Sequence, residues 1–184
     1  MLLAIHQPNF IPWQPFFEKM RAADKFVILT YCQFNREHYQ HRFQHEQRWY
    51  TMGVQNVRHP DLIRNRVYAK PQEDWQAIKR RLPAHAAWFS QFDDLIEASL
   101  WRTNYQIILR LAEKLGIARD KIQLDEPTSL TGTDRLIDLC VRHGATRYLA
   151  GRSGAAYMDF QKFTAANIEI VVQDVKNPNH LFVS

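Results

Sequence analysis

The sequence predicts an α/β protein: a mainly parallel sheet of about four or more strands, with a helical, basic insertion between its halves. Three observations carry that prediction. Short apolar runs of strand length recur at 2–5, 25–29, 147–150 and 168–172. Segments with helical periodicity lie between them, and Gly, Pro or Asp marks the junctions. Strand, helix and strand within about thirty residues at the N-terminus make a βαβ unit, whose crossover is right-handed.

The elements follow in order. Leu2-Leu3-Ala4-Ile5 is a buried strand. The next eight residues, from His6 to Trp13, hold three hydrogen-bonding side chains, two prolines and a tryptophan. Proline fixes its own φ and restricts the residue before it, so Gln7 and Ile11 are expected to be extended in a stiff loop. Pro15 suits a first helical position, and Phe16, Phe17, Met20 and Ala23 recur at helical spacing until Asp24. Residues 33–47 are polar, rich in His and Arg, and read as irregular. Segments 48–54 and 62–68 read as strands, and 75–82 and 86–100 as helices parted by Pro83. The clearest helix is 101–115, where Tyr105, Ile108, Leu111, Ala112 and Leu115 share a face and Gly116 provides the stop. Thr133 or Asp134 caps a further helix through Leu139 and Cys140, ended by Gly144. A helix at 158–166 joins the last two strands. At 184 residues a single domain over 1–184 is expected.

Composition narrows the function classes. With 46% hydrophobic residues, five Trp, seven Tyr and eleven Phe, disorder is excluded. No apolar run is long enough to span a bilayer, and the start lacks the basic n-region of a signal peptide. Cys32 and Cys140 are far apart in apolar runs, which reads as buried free thiols in a reducing, cytoplasmic setting. The net charge is +5, concentrated in residues 30–70. That stretch has seven basic residues against three acids, and six of the seven are Arg. Arginine suits bidentate recognition of phosphate or carboxylate, so an anionic small-molecule substrate is the expected partner. A solvated basic face is the plain alternative.

Candidate site residues cluster after the strands. His6, Gln7 and Asn9 stand at the C-terminal edge of the first, where open α/β proteins bind ligands. His6 is the candidate general base, Gln7 and Asn9 would orient a carbonyl, hydroxyl or phosphate, and Trp13 is a candidate substrate contact. The alternative is a histidine that only braces a turn. Gly151-Arg152-Ser153-Gly154 forms a strand-to-helix turn whose backbone N–H groups suit an anion, with Tyr157 and Asp159 just beyond. Asp159 reads equally well as a helix cap. Gln33, Asn35 and Arg36 follow the second strand, Arg42 lies in the basic stretch, and Gln173 follows the last strand. If the strands are parallel, the clusters that follow them share one edge, and Arg36 and Arg152 are expected to point into the same cleft as His6. His38, His41 and His45 would share a face if helical, but Arg42 between them opposes a cation, so no metal is assigned. Trp75, Trp88, Phe89, Phe92, Trp101 and Tyr105 read as core ahead of a sugar-stacking platform. No Gly-x-Ser-x-Gly elbow, Cys-x-x-Cys pair or dinucleotide fingerprint is present, so no cofactor is assigned.

The stretch Ile5-His6-Gln7-Pro8-Asn9-Phe10-Ile11-Pro12-Trp13 resembles the signature of the WbqC-like bacterial proteins. The resemblance continues through Phe17-Glu18-Lys19, Ala23-Asp24-Lys25-Phe26-Val27, Cys32-Gln33-Phe34 and Trp49-Tyr50-Thr51-Met52-Gly53-Val54. It resumes at Asp134-Arg135-Leu136-Ile137, Gly144-Ala145, Tyr148-Leu149-Ala150-Gly151, Gly154, Tyr157-Met158-Asp159 and Phe163. The family is associated with O-antigen and other surface-polysaccharide gene clusters, which implies a tailoring enzyme of activated-sugar metabolism. Two departures stand out. Thr30-Tyr31 replaces the family's usual acidic pair, and longer members continue past the point where this sequence stops.

The first reading is therefore a transferase acting on a nucleotide-activated or amino sugar, with acyl or aminoacyl transfer as the reaction. A second is an RNA- or other nucleic-acid-binding module, suggested by a pI near 9.3 and by Tyr39, Phe43, Trp49, Tyr50 and Tyr68 among the arginines. A third is a non-catalytic scaffold.

Overall fold

A computed structural model describes residues 1–56, 61–155, 158–175 and 178–183. Its centre is a five-stranded sheet: β1 (Leu2–His6), β2 (Lys25–Ile28), β5 (Ile122–Leu124), β6 (Arg147–Ala150) and β7 (Glu169–Val172). The spatial order is β5-β2-β1-β6-β7, and every neighbouring pair is parallel. The four expected strands are thus in one sheet. The fifth, only Ile-Gln-Leu, is too short to show a period.

Side-chain alternation explains why both faces are covered. Ala4 of β1, Phe26 and Ile28 of β2 and Leu149 of β6 point into one core, against Phe16, Phe17 and Met20 of helix α1 (Gln14–Ala22). Leu3, Ile5, Val27, Tyr148 and Ala150 point into a second core. There they meet Leu139 and Cys140 of the helix over Gly132–Arg142 and Phe163 of the helix over Phe160–Ala165.

The insertion between β2 and β5 is partly helical, as expected, but it opens with an antiparallel hairpin. Strands β3 (Arg42–His45) and β4 (Arg48–Thr51) pair in register, with His45 opposite Arg48. The segment read as irregular up to residue 47 therefore holds a strand. Its two-residue turn is Glu46-Gln47, with φ of 47° and 61°, the geometry of a type I′ turn built without its usual Asn or Gly.

Residues 62–68, expected as a strand, instead start with a 3-10 turn at Ile63–Asn65. Asp61 drives that turn: its Oδ1 accepts from Leu62 N at 2.9 Å and from Asn65 Nδ2 at 3.1 Å. Helix α2 (Pro71–Arg81) follows. The expected helix over 86–100 is broken into α3 (Ala86–Ser90), a 3-10 turn at Asp93–Leu95 and the start of α4 (Leu100–Lys114). Two aspartates divide it. Asp93 accepts from Trp75 Nε1 at 2.7 Å and from Lys79 Nζ at 2.8 Å, and Asp94 binds Arg110. Gly116, at φ 68°, ends α4 as expected.

Helix α5 (Gly132–Arg142) begins earlier than expected, with Thr131 at its N-cap and Asp134 paired to Lys162. The short α6 (Arg152–Ala155) follows β6. The last helix, α7 (Phe160–Ala165), is shorter than the expected 158–166, and the Asp159 side chain caps it by accepting from Gln161 N and Lys162 N. Cys32 is half-buried, Cys140 is buried, and both are free thiols. No helix among the described residues is long and apolar enough to cross a membrane.

Candidate functional site

The strand order locates the site. From β1 the chain steps to β2 on one side, while β6 and β7 lie on the other. In a parallel sheet the loops leaving β1 and β6 therefore part at their C-terminal ends and leave a crevice. A cleft of about 770 Å³ opens there, lined by His6, Gln7 and Asn9 after β1 and by Gly151 and Gly154 after β6. That volume suits a small-molecule ligand.

The loop from Gln7 to Trp13 is held by a buried amide network. Gln7 Oε1 accepts from Gln40 Nε2 at 2.6 Å, and Gln7 Nε2 donates to Cys32 Sγ at 3.4 Å. Asn104 Nδ2 donates to Pro8 O at 2.7 Å and to Gln40 O at 2.6 Å, while its Oδ1 accepts from Tyr68 OH at 2.9 Å. Gln40 and Asn104 are both fully buried. Ile11 does not take the extended conformation expected before a proline: its φ is 46°. Its side chain is 1% exposed in the first core, so packing outweighs the cost of about 1–2 kcal/mol for a left-handed L-residue.

His6 ends β1 on the α1 side, its ring edge-on to Phe16 at 4.9 Å. Its Nδ1 lies 2.9 Å from Gln7 O. A carbonyl only accepts, so Nδ1 carries the proton and Nε2 is left as the acceptor. Burial first, then the charge of Lys19, pushes the His6 pKa down to about 4, opposed by the Gln7 carbonyl bond. The imidazole is therefore neutral at pH 7.

Lys19 projects from α1 into the same cleft. It is 3% exposed, and its Nζ donates to Ile5 O at 3.0 Å. Burial lowers its pKa to about 8. Tyr148 of β6 completes this corner of the cleft, with Nζ 6.0 Å from its ring centroid. Sequence reasoning passed over Lys19, although a usable signal was there: it follows Phe16 by three residues and precedes Ala23 by four, on the apolar side of α1. Gln40 carried little local signal: apart from Asn35 N, which donates to its Oε1 at 2.9 Å, its partners Gln7 and Asn104 are far away in sequence.

The remaining sequence-derived candidates separate into two sets. Trp13, 39% exposed, lines the cleft with His6, Gln7, Asn9, Gly151 and Gly154. Its backbone bridges to His180 of the C-terminal strap, whose Nε2 meets Gln44 O at 2.8 Å. Gln33, Asn35, Arg36, Arg42, Arg152, Asp159 and Gln173 are not among the lining residues. Gln33 is exposed and bridges to Leu62. Asn35 Oδ1 caps the turn at Glu37 N, Arg36 donates to Asn56 Oδ1 at 2.7 Å, and Arg42 lies 4.1 Å over the Trp49 ring. Gln173 Nε2 donates to Pro15 O at 2.7 Å, fastening β7 to the start of α1. Arg152 is exposed at the start of α6, and Ser153 follows it there. Tyr157 lies outside the described residues. The expected pairing of Arg36 and Arg152 in the His6 cleft is not formed, because Arg36 turns towards Asn56.

His38, His41 and His45 lie on turns and on β3 rather than along one helix face. Among the described residues no group of three or more His, Cys, Asp or Glu side chains is placed to hold a metal ion. Burial pushes the Cys32 thiol up to about 11 and Cys140 up to about 12, so neither is a ready nucleophile.

Fold and cleft together define an α/β protein with a small-molecule-sized crevice at the switch point of a parallel sheet. Comparison with known families gives the next step: the profile of the WbqC-like protein family matches residues 7–181, and the chain belongs to that family. An uncharacterized protein of Mycobacterium tuberculosis (strain ATCC 25618 / H37Rv), Rv1507c, is 25% identical over 188 aligned positions, covering 91% of this chain and 80% of the relative. No solved structure matches.

Proposed function

We propose that the protein is a tailoring transferase of activated-sugar or surface-polysaccharide biosynthesis, passing an acyl or aminoacyl group to an amino sugar. One observation carries this reading: a neutral imidazole with its acceptor nitrogen available lines the switch-point cleft beside fixed amide side chains. Nε2 of His6 takes a proton from the attacking amine or hydroxyl as the new bond to the acyl carbon forms. The bond from that carbon to the donor's leaving group breaks, and the leaving group accepts the proton from the imidazolium. Asn9 and Gln7 are the candidates for orienting the acceptor, in a cleft that takes an anionic ligand, with a nucleotide-activated sugar as the preferred class. A cytoplasmic setting fits such a substrate.

The test is turnover of an amino-sugar nucleotide with acyl and aminoacyl donors, followed by mass spectrometry of the sugar product. His6→Gln should keep the fold by circular dichroism and lower kcat by about 10²–10⁴ with little change in KM. A destabilised variant whose folded fraction keeps full turnover would show that His6 only braces the loop.

A further inference from the structure

Among the described residues, Lys19 is a cation placed in the cleft without an ion-pair partner, although Glu37 also lines the cleft. Its polar contact is the carbonyl of Ile5 at 3.0 Å, and the Tyr148 ring lies at the outer limit of cation–π range. The other buried cations are answered differently. Arg135 is paired with Asp125, and Arg66 lies 3.4 Å from Asp61 and against the Phe34 ring. A buried charge normally has a partner, because desolvation is otherwise uncompensated. In Lys19 the ammonium has used one of its three donors on Ile5 O, leaving two at the wall of a cleft sized for a ligand.

We propose that Lys19 is the anion seat of this cleft, its ammonium taking a single carboxylate or terminal phosphate of the ligand beside His6. This rests on the reading of the cleft as a substrate site, and it moves the recognition of negative charge from the arginine-rich hairpin to the cleft wall. A lone ammonium is a point charge, so it selects a compact anionic group, whereas an arginine fork would select a planar bidentate one. A consequence follows for His6. The charge of Lys19 is one of the causes that hold the imidazole pKa down. An anion seated on Lys19 offsets that charge and raises the basicity of His6 when the ligand is in place.

The experiment is an NMR titration of the whole protein carrying ¹³C-labelled lysine and histidine, with acetate, glucuronate, inorganic phosphate and uridine diphosphate as separate probes. The expected result is a shift of the Lys19 signal and a rise in both the Lys19 and His6 pKa values on saturation. Response to acetate and glucuronate alone identifies a carboxylate ligand, and response to phosphate and uridine diphosphate alone identifies a phosphate ligand. Lys19→Met should weaken the responding probe by about 10- to 100-fold, with partial recovery in Lys19→Arg, as for a lost charge-assisted hydrogen bond. Arg36→Ala and Arg42→Ala should leave its affinity unchanged. A Lys19 signal that none of the four probes moves overturns the proposal, as does wild-type affinity in a folded Lys19→Met variant. Should that variant fail to fold, the wild-type titration still decides. These are equilibrium measurements, so a fully active His6→Gln enzyme would defeat the transferase mechanism and leave the anion seat standing.

Discussion

The arginine-rich hairpin and the wall of the cleft place positive charge in opposite ways. In the hairpin region most of the described cations are internally occupied, while Arg48 is exposed. Arg42 stacks on Trp49, Arg64 lies 4.7 Å from the Tyr31 ring and 4.6 Å from the Trp101 ring, and Arg81 lies 4.6 Å from the Tyr50 ring. Arg36 and Arg42 also donate to Asn56 and to backbone carbonyls. In the cleft there is one lysine, nearly without solvent and without a carboxylate partner. Charge density along a sequence therefore measures where cations are, whereas ligand capacity depends on which of them the fold leaves unanswered.

The largest effect that would sharpen this contrast comes from unpairing a cation that is answered. Asp125 is 5% exposed and accepts from Thr30 N, Thr30 Oγ1 and Tyr31 N as well as from Arg135. It ties the loop after β2 to the end of β5, at the same sheet edge as the cleft. Asp125→Ala leaves a buried guanidinium and two backbone donors without their acceptor. A loss of about 3–5 kcal/mol is expected by urea denaturation. A loss below about 1 kcal/mol, the size of a surface pair, would mean that Arg135 re-solvates freely and that pairing is no criterion of role.

Lys19 should behave in the opposite sense. Its folded pKa, about 8, lies below the ordinary 10.5, so between those values the unfolded chain binds more protons than the native one. The Lys19 contribution to native stability should then rise as pH increases from 8 to 10.5, by about 3 kcal/mol. It is read as the difference between wild type and Lys19→Met, because the raised thiol pKa values of Cys32 and Cys140 lower stability above pH 9 in both proteins. Below pH 8 the cost of the buried charge is fully present. Lys19→Met should remove that rise and leave the melting temperature at pH 7 at least as high as wild type, while anion binding falls. Melting curves across this pH window check the sign. A steep drop in stability for Lys19→Met would make the lysine a structural member of α1.

Much of this was legible in the sequence, and the gaps have physical causes. Four strands could be read because β1, β2, β6 and β7 are short apolar runs next to clear breaks. The sheet edge could be inferred because parallel strands bring their ends together. His6, Gln7, Asn9, Trp13 and the glycines of 151–154 were placed near one another by that inference alone. The two-arginine anion site was not recoverable, because whether Arg36 points to a cleft or to Asn56 depends on a partner twenty positions away. The Gln7–Gln40–Asn104–Tyr68 network spans long sequence separations and leaves no periodic trace. Lys19 was overlooked for a different reason: a charged residue at an apolar helical position reads as an edge of the amphipathic face, when its burial is the signal.

The smallest expected effect tests whether the hairpin is only a scaffold. Glu46 and Gln47 occupy left-handed backbone positions between β3 and β4, and neither is a residue that favours such φ values. This is also why the turn escaped detection, since Asn-Gly is the usual type I′ signature. Replacing the pair by Asn-Gly should relieve the turn and stabilise the protein by about 1 kcal/mol, a shift of a few degrees in melting temperature for a chain of this size. If the hairpin arginines serve structure alone, the more stable variant binds acetate, glucuronate, phosphate and uridine diphosphate as wild type does. Gln44, Glu37 and Tyr39 line the cleft from this side, so a hairpin that must move to admit ligand would show the added stability as a slower on-rate. An affinity or on-rate that changes with turn stability would join the two regions into one working unit and end the distinction between them.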